Sequence, residues 1–280
     1  MKLTMDFERE SSNTTARESA RLDQPASGGS YRRICDSPAY AQAVPSERLY
    51  LRQLLSGRDF AVDDPIAQQM VNFAYAIGDR ATGECVLVDP AYAAAELVEI
   101  VANDGMTVTG ALATHFHADH IGGSMMGHQL EGVRELLDVV GVKVHVQSAE
   151  VPWVKKTTGL GDSDLAVRAP GDSLTVGDIE ITFVHTPGHT PGSQCFLVDG
   201  CLVSGDTLFL DGCGRTDFPG SSPEDMYDSL QVLARLPDDT IVFPGHAYHP
   251  ASRATISAVK EMNYVYKPKS RDAWLTMFGG

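Results

Sequence analysis

Val108-Thr109-Gly110-Ala111-Leu112-Ala113-Thr114-His115-Phe116-His117-Ala118-Asp119-His120 runs from an apolar segment straight into a cluster of imidazoles and one carboxylate. Val108–Ala113 has the composition of a buried strand. Three histidines and an aspartate then fall between His115 and His120. Composition alone would produce such a window on the order of once in a thousand chains of this length. A strand that ends in a sharp loop turns alternate side chains to one side. His115 and His117 can therefore share one cation while Asp119 and His120 reach a second. Imidazole nitrogen and carboxylate oxygen are donors that divalent ions accept.

Three later segments repeat the order strand, small residues, candidate ligand. His185-Thr186-Pro187-Gly188-His189-Thr190-Pro191-Gly192 follows the apolar run Ile179–Val184. Its glycines and prolines make a tight loop that can aim one histidine inward. His189, deeper in the loop, is the expected ligand; His185, at the strand end, reads as a packing or hydrogen-bonding histidine. Gly205-Asp206-Thr207 follows Leu202–Ser204. Alone, Asp206 would be an ordinary turn or N-cap aspartate. In the company of the histidine motif, its two oxygens can bridge two cations. Pro244-Gly245-His246 follows Thr240–Phe243, which makes His246 a ligand of the second cation. His128, His145 and His249 lack such context and read as ordinary helix, strand or surface residues.

Outward from these motifs, strands and helices alternate. Met70–Ile77 and Cys85–Val88 are predicted strands, and Ala93–Ala102 is a predicted helix that stops at Asn103-Asp104-Gly105. Gln129–Val140 has helical spacing and Val142–Val146 reads as a short strand. Gly177-Asp178 and Asp199-Gly200 each sit between apolar runs and signal hairpins. Pro223–Leu236 is a predicted amphipathic helix with Ser222 as N-cap and Pro223 at the first helical position. Ala254–Met262 is a further predicted helix. The mixture predicts an α/β (α+β) fold in which sheet edges carry the ligands. Residues 1–30 are polar and end in the turn-prone Pro25–Ser30, so they read as a disordered tail. Residues 31–280 read as a single domain whose globular part begins near Leu49.

The chain has 280 residues, 43% of them hydrophobic and 21% charged, enough apolar content for a sizeable core. Its net charge of −15 argues against nucleic acid, whose phosphates demand clustered Lys and Arg. No apolar run approaches the roughly 20 residues of a membrane helix, and the N-terminus has no apolar h-region of a secretory signal. The five cysteines, Cys35, Cys85, Cys195, Cys201 and Cys213, are odd in number and form no CxxC pair. A reduced, cytoplasmic protein follows. A homodimer is compatible with the sequence.

The motifs THFHADH, GHT, GDT and PGH, in that order, resemble the metallo-β-lactamase superfamily over roughly residues 50 to 265. The resemblance implies a four-layer αββα sandwich with metals at one edge of the two sheets. It implies two divalent ions, zinc foremost, with iron or manganese as substitutes. His115, His117 and His189 would hold the first ion; Asp119, His120 and His246 the second; Asp206 would bridge. Asp89 resembles an aspartate that orients a ligand histidine in this family, although a turn aspartate beside Pro90 is the plain alternative.

Gly205–Phe209 and Gly212–Gly220 look like the glyoxalase II-like (hydroxyacylglutathione hydrolase-like) branch. This implies a hydrolase that uses a metal-bound hydroxide on a thioester or ester, with Asp119 helping to orient or deprotonate the nucleophile. The substrate would be a small molecule, a glutathione or other thiol conjugate. Arg215 could meet an anionic substrate group or simply pair with Asp217. Tyr248 matches a substrate-contacting tyrosine of that branch. Gly-Arg-Thr-Asp-Phe at 214–218 also resembles the persulfide dioxygenases, a sister group with a single iron, acting on glutathione persulfide. There His115, His189 and Asp206 would hold the iron. Pro-Gly-His at 244–246 suits the two-metal hydrolases better, since the dioxygenases tend to have alanine in place of Gly245. Two departures stand out. The 121–188 segment is long, with an insertion expected around 125–140 or 150–170. The chain after His246 is too short for the helical domain with which typical glyoxalase II grips glutathione.

Overall fold

Alternation along the strands divides their apolar residues between two faces, and that division builds the layers. A computed structural model describes residues 45–279; the tail assigned to residues 1–30 lies outside them, as does Cys35. The first half contains β1 (Leu49–Leu55), helix α1 (Pro65–Met70), β2 (Phe73–Asp79), β3 (Glu84–Val88), α2 (Ala94–Asn103), β4 (Thr107–Leu112) and the short α3 (Ala118–Ile121). Then follow β5 (Gly123–Met125), β6 (His128–Leu130), α4 (Val133–Val139), β7 (Val144–Gln147), α5 (Val151–Thr158) and β8 (Leu165–Arg168). The second half contains β9 (Ser173–Val176), β10 (Ile179–His185), β11 (Gln194–Val198), β12 (Cys201–Gly205), α6 (Pro223–Leu233), β13 (Ile241–Pro244), β14 (Ala254–Thr255), α7 (Ile256–Met262) and α8 (Arg271–Phe278).

Two six-stranded sheets form, in the orders β1-β2-β3-β4-β7-β8 and β14-β13-β12-β11-β10-β9. Tyr75, Ile77, Val86 and Val88 of the first sheet meet Ile181, Phe183, Phe196 and Val203 of the second in one buried cluster. The residues between them point the other way. Ala74, Ala76, Cys85 and Leu87 pack outward with Leu97 and Val101 of α2 and Leu136 of α4. Cys195, Leu197, Leu202 and Val242 pack outward with Leu230 and Leu233 of α6, Val259 of α7 and Trp274 of α8. The layers are thus helix, sheet, sheet, helix, the αββα sandwich. Fully burying each large apolar side chain contributes about 1.5–3 kcal/mol.

Parallel pairing decides where the ligands emerge. β3, β4, β7 and β8 run parallel in the first sheet, and β12 pairs parallel with β13 in the second. Asp89 follows β3, the histidine motif follows β4, Asp206 follows β12 and His246 follows β13. Ligand sites in α/β sheets gather beyond the carboxyl ends of parallel strands for this reason.

Several boundaries differ from the sequence-based expectation. Met70 ends a helix capped by the Asp64 side chain, and the following strand starts only at Phe73. Gln129–Val140 is not one helix: His128–Leu130 pairs with Gly123–Met125 in a separate hairpin, and the helix begins at Val133. The predicted helix 254–262 starts with two strand residues, and the predicted helix 223–236 ends at Leu233. Ser222 caps it as expected, accepting a hydrogen bond from the Asp225 amide. No helix among the described residues is long and apolar enough to cross a membrane.

Candidate metal centre

Thr114 is the hinge between strand and site. Its amide and hydroxyl donate to the two Asp89 carboxylate oxygens at 2.8 and 2.5 Å. Gly205 lies against it with φ +49°, and a Cβ there would come within 2.7 Å of the Thr114 Cβ. Only glycine combines that left-handed backbone with so close an approach. His117 is still extended, and α3 starts directly after it. The change from strand to helix explains the ligand spacing: alternate residues 115 and 117 point together, then adjacent residues 119 and 120.

The structure brings together all seven residues expected at the site. His115, His117 and His189 offer ligand atoms within 4.8 Å of one another, and so do Asp119, His120 and His246. Asp206 stands between the groups. One of its oxygens lies 3.4 Å from His120 Nε2. The other lies 3.4 Å from His246 Nε2 and 3.6 Å from His189 Nε2. All but His117 are buried.

Hydrogen bonds set the direction of the imidazole lone pairs. His189 Nδ1–H donates to the Arg215 carbonyl and His246 Nδ1–H to the Met70 carbonyl, each at 2.8 Å. His120 Nδ1–H donates to Asp89 Oδ2 at 2.9 Å. The Thr114 hydroxyl, having given its proton to Asp89, accepts from His115 Nδ1–H at 3.0 Å. With Nδ1 so engaged, each of these four rings turns Nε2 inward as the atom available to a metal ion. The Asp89 reading as an orienting aspartate fits this geometry.

Buried polar groups normally find partners, yet Asp206 Oδ1 is buried without a hydrogen bond. Beside it, a Cβ on Gly245 would come within 2.3 Å of Oδ1. His120 Nε2 and His246 Nε2 are 3.2 Å apart, and His117 Nδ1 lies 3.0 Å from both His115 Nε2 and His189 Nε2. Converging lone pairs and an unpartnered carboxylate oxygen are what divalent cations satisfy, so the donor set fits metal ions.

The protonation balance differs between the groups. Burial pushes the His115, His117 and His189 pKa values down, His117 to about 4, with neighbouring imidazoles adding to the effect on His115 and His117. Burial acts the same way on His120 and His246, but there the Asp206 and Asp119 carboxylates override it and raise both. Burial also works against charge on Asp206 and Asp119, and the neighbouring His246 and His120 hold both carboxyls below the usual range.

Three residues at or behind the site escape sequence reading. Asn72 Nδ2 donates to Asp119 Oδ2 at 3.1 Å, and the Tyr92 hydroxyl fixes Asn72 by donating to its Oδ1 at 2.8 Å. Glu150 accepts from the Phe116 amide, the Thr190 hydroxyl and the Gly192 amide, clamping the His117 and His189 loops together. Solitary polar residues carry no local pattern from which a sequence reading could find them.

Other histidines stand apart. His185 Nε2 meets the Pro191 carbonyl at 3.0 Å. His145 is buried beside Arg168, while His128 is exposed and His249 half-buried. Arg215 is bonded to Asp217 at 2.9 and 2.6 Å. Tyr248 stacks on His246, ring centroids 4.6 Å apart and planes 6° from parallel. Both line a cleft of about 650 Å³ that opens on His117, Asp119, His189, Asp206 and His246.

The metallo-beta-lactamase superfamily model matches residues 69–246, the stretch that holds every residue of this cluster. The chain belongs to the metallo-β-lactamase superfamily. Within it, the chain falls with the glyoxalase II-like branch. It is 37% identical over 195 residues to a hydroxyacylglutathione hydrolase of Xanthomonas campestris, covering 68% of this chain and 67% of that protein. It is 33% identical over 196 residues to a beta-lactamase hydrolase-like protein of Agrobacterium fabrum, covering 64% of this chain. The chain spans only 45% of the Agrobacterium protein's length. The crystal structure of ETHE1 from Myxococcus xanthus superposes with a TM-score of 0.67 at 30% identity, covering 82% of this chain and 90% of that one.

Proposed function

We propose that this protein is a two-metal hydrolase that cleaves a thioester or ester of a small thiol conjugate. The position of Asp206 carries the reading: one carboxylate lies within 3.6 Å of imidazoles from both groups, with Oδ1 buried and unpartnered. Under this reading His115, His117 and His189 would hold one ion and Asp119, His120 and His246 the other, with Asp206 available to both. Zinc fits the donors; iron and manganese also accept them. Bound divalent ions would supply Lewis acidity and bring the pKa of a coordinated water to about 7.

The chain's own groups do the rest. Asp119, held by Asn72, has a carboxylate placed to orient the nucleophile and accept its proton. Asp89 and Thr114 fix the tautomers of His120 and His115. The phenol of Tyr248, its pKa raised to about 12 by burial and by Asp206 and Asp119, stays protonated at the cleft wall as a donor to substrate. A leaving thiol with a pKa of about 8.5 departs as thiolate without a dedicated general acid.

A mononuclear iron persulfide dioxygenase is the second reading. The likeness to ETHE1 over 82% of the chain and the presence of His115, His189 and Asp206 favour it. Metal analysis of protein purified without added ions, paired with thiol release from a thioester panel and oxygen uptake on glutathione persulfide, separates the two. Two ions per chain with thiol release is the expected result. One iron with oxygen uptake would overturn it.

A further inference from the structure

We infer that the cleft selects thioesters of apolar acyl groups on an uncharged thiol, and disfavours glutathione conjugates. This rests on the hydrolase reading and names its substrate class. The walls on both sides of the centre are aromatic. Phe116 and Phe218 flank His117 at centroid distances of 4.7 and 5.2 Å. Phe209 packs edge-on against Tyr248 at 5.3 Å on the His246 side. Met125 and Met126 line the mouth from the β5–β6 hairpin, and Met126 is 88% exposed. Flexible methionines that stand free above an aromatic cleft adapt to apolar ligands of varied shape.

Charge points the same way. Glutathione carries two carboxylates, and their recognition calls for free cationic donors. Among the described residues lining the cleft, Arg215 is the one arginine or lysine. Its Nε and Nη2 are both engaged by Asp217, and its guanidinium lies 4.6 Å over the Phe218 ring. Asp211 adds a further negative charge to the lining. The chain's net charge of −15 repels an anionic conjugate at longer range.

The experiment compares kcat/KM of the metal-loaded full chain for hexanoyl-N-acetylcysteamine and S-lactoylglutathione. A preference of tenfold or more for the neutral thioester is expected. Asp217→Asn, which frees Arg215, is expected to raise kcat/KM for the glutathione substrate several-fold and leave the neutral one unchanged. An equal or greater rate for S-lactoylglutathione in the unmodified protein overturns the inference while leaving the hydrolase reading intact. If neither thioester is cleaved, the hydrolase reading falls. Calorimetric binding of S-hexyl-N-acetylcysteamine against S-hexylglutathione then decides the cleft's selectivity: tighter binding of the glutathione derivative overturns it, and tighter binding of the neutral one supports it.

Discussion

His120 Nε2 and His246 Nε2 face each other across 3.2 Å, although the Nδ1 proton of each ring is committed elsewhere, to Asp89 and to the Met70 carbonyl. Two lone pairs so placed repel until a proton or cation enters between them. Removing His246 should therefore empty one site and spare the other. His246→Ala is expected to retain one ion per chain by elemental analysis and to lose at least 100-fold in thioester kcat/KM. Retention of two ions would remove His246 from the ligand set. Stripping the unmodified protein with chelator should lower its Tm, since an ion at 100 times its Kd stabilises the fold by about 2.7 kcal/mol.

Acid should discriminate between the two sites. The raised pKa values of His120 and His246 mean that the metal-free fold holds protons there near neutrality, and an incoming ion must displace them. His115, His117 and His189 have lowered values and would bind an ion with little proton release in that range. Affinity at the Asp119–His120–His246 site should fall steeply from pH 8 to pH 6, while the other site changes little until much lower pH. Calorimetric titration in buffers of different ionisation enthalpy reads this directly; equal proton release at both sites would contradict it. For the metal-free protein the sign reverses. The raised histidines contribute stability present below the ordinary imidazole pKa and lost as pH rises through their folded values.

Gly245 lies so close to the Asp206 carboxylate that an added methyl group would meet Oδ1 at 2.3 Å. Gly245→Ala should push the Asp206 carboxylate aside and weaken the second ion most. The expected outcome is a folded protein with one ion per chain and little hydrolysis. Two ions and undiminished activity in this variant would show that the carboxylate relaxes freely.

Glu150 joins two ligand loops through three hydrogen bonds of 2.7–2.8 Å. Glu150→Ala leaves buried amides at Phe116 and Gly192 without an acceptor, at about 1–3 kcal/mol for each. Thermal unfolding should report a clear loss of stability, and ion affinity at the His115–His117–His189 site should fall more than at its neighbour. A uniform loss at both sites would mark Glu150 as a general fold residue.

The gathering of the candidate ligands is legible because they sit in short segments at strand ends, where a local pattern survives without tertiary information. His115, His117, Asp119 and His120 share one motif, and His189, Asp206 and His246 each follow an apolar strand. Asn72 and Glu150 gain meaning only through contacts with residues 47 and 34–42 positions away, which no window reveals. The hairpin at 123–130 was read partly as helix because three-residue strands are too short to display a period of two. Arg215 is readable as either a substrate contact or a partner of Asp217; the structure shows the bidentate pair with Asp217 at the cleft wall.

The delivery of candidate ligands from strand ends of both sheets has a consequence for assembly. His189 and His246 come from the later half of the chain, while their companions come from the earlier half. Neither triad is complete until the halves have docked, although Asp89, His115 and His120 already gather three donors within the earlier half. An ion held by either triad would therefore tie the two halves of the chain together across the seam between the sheets.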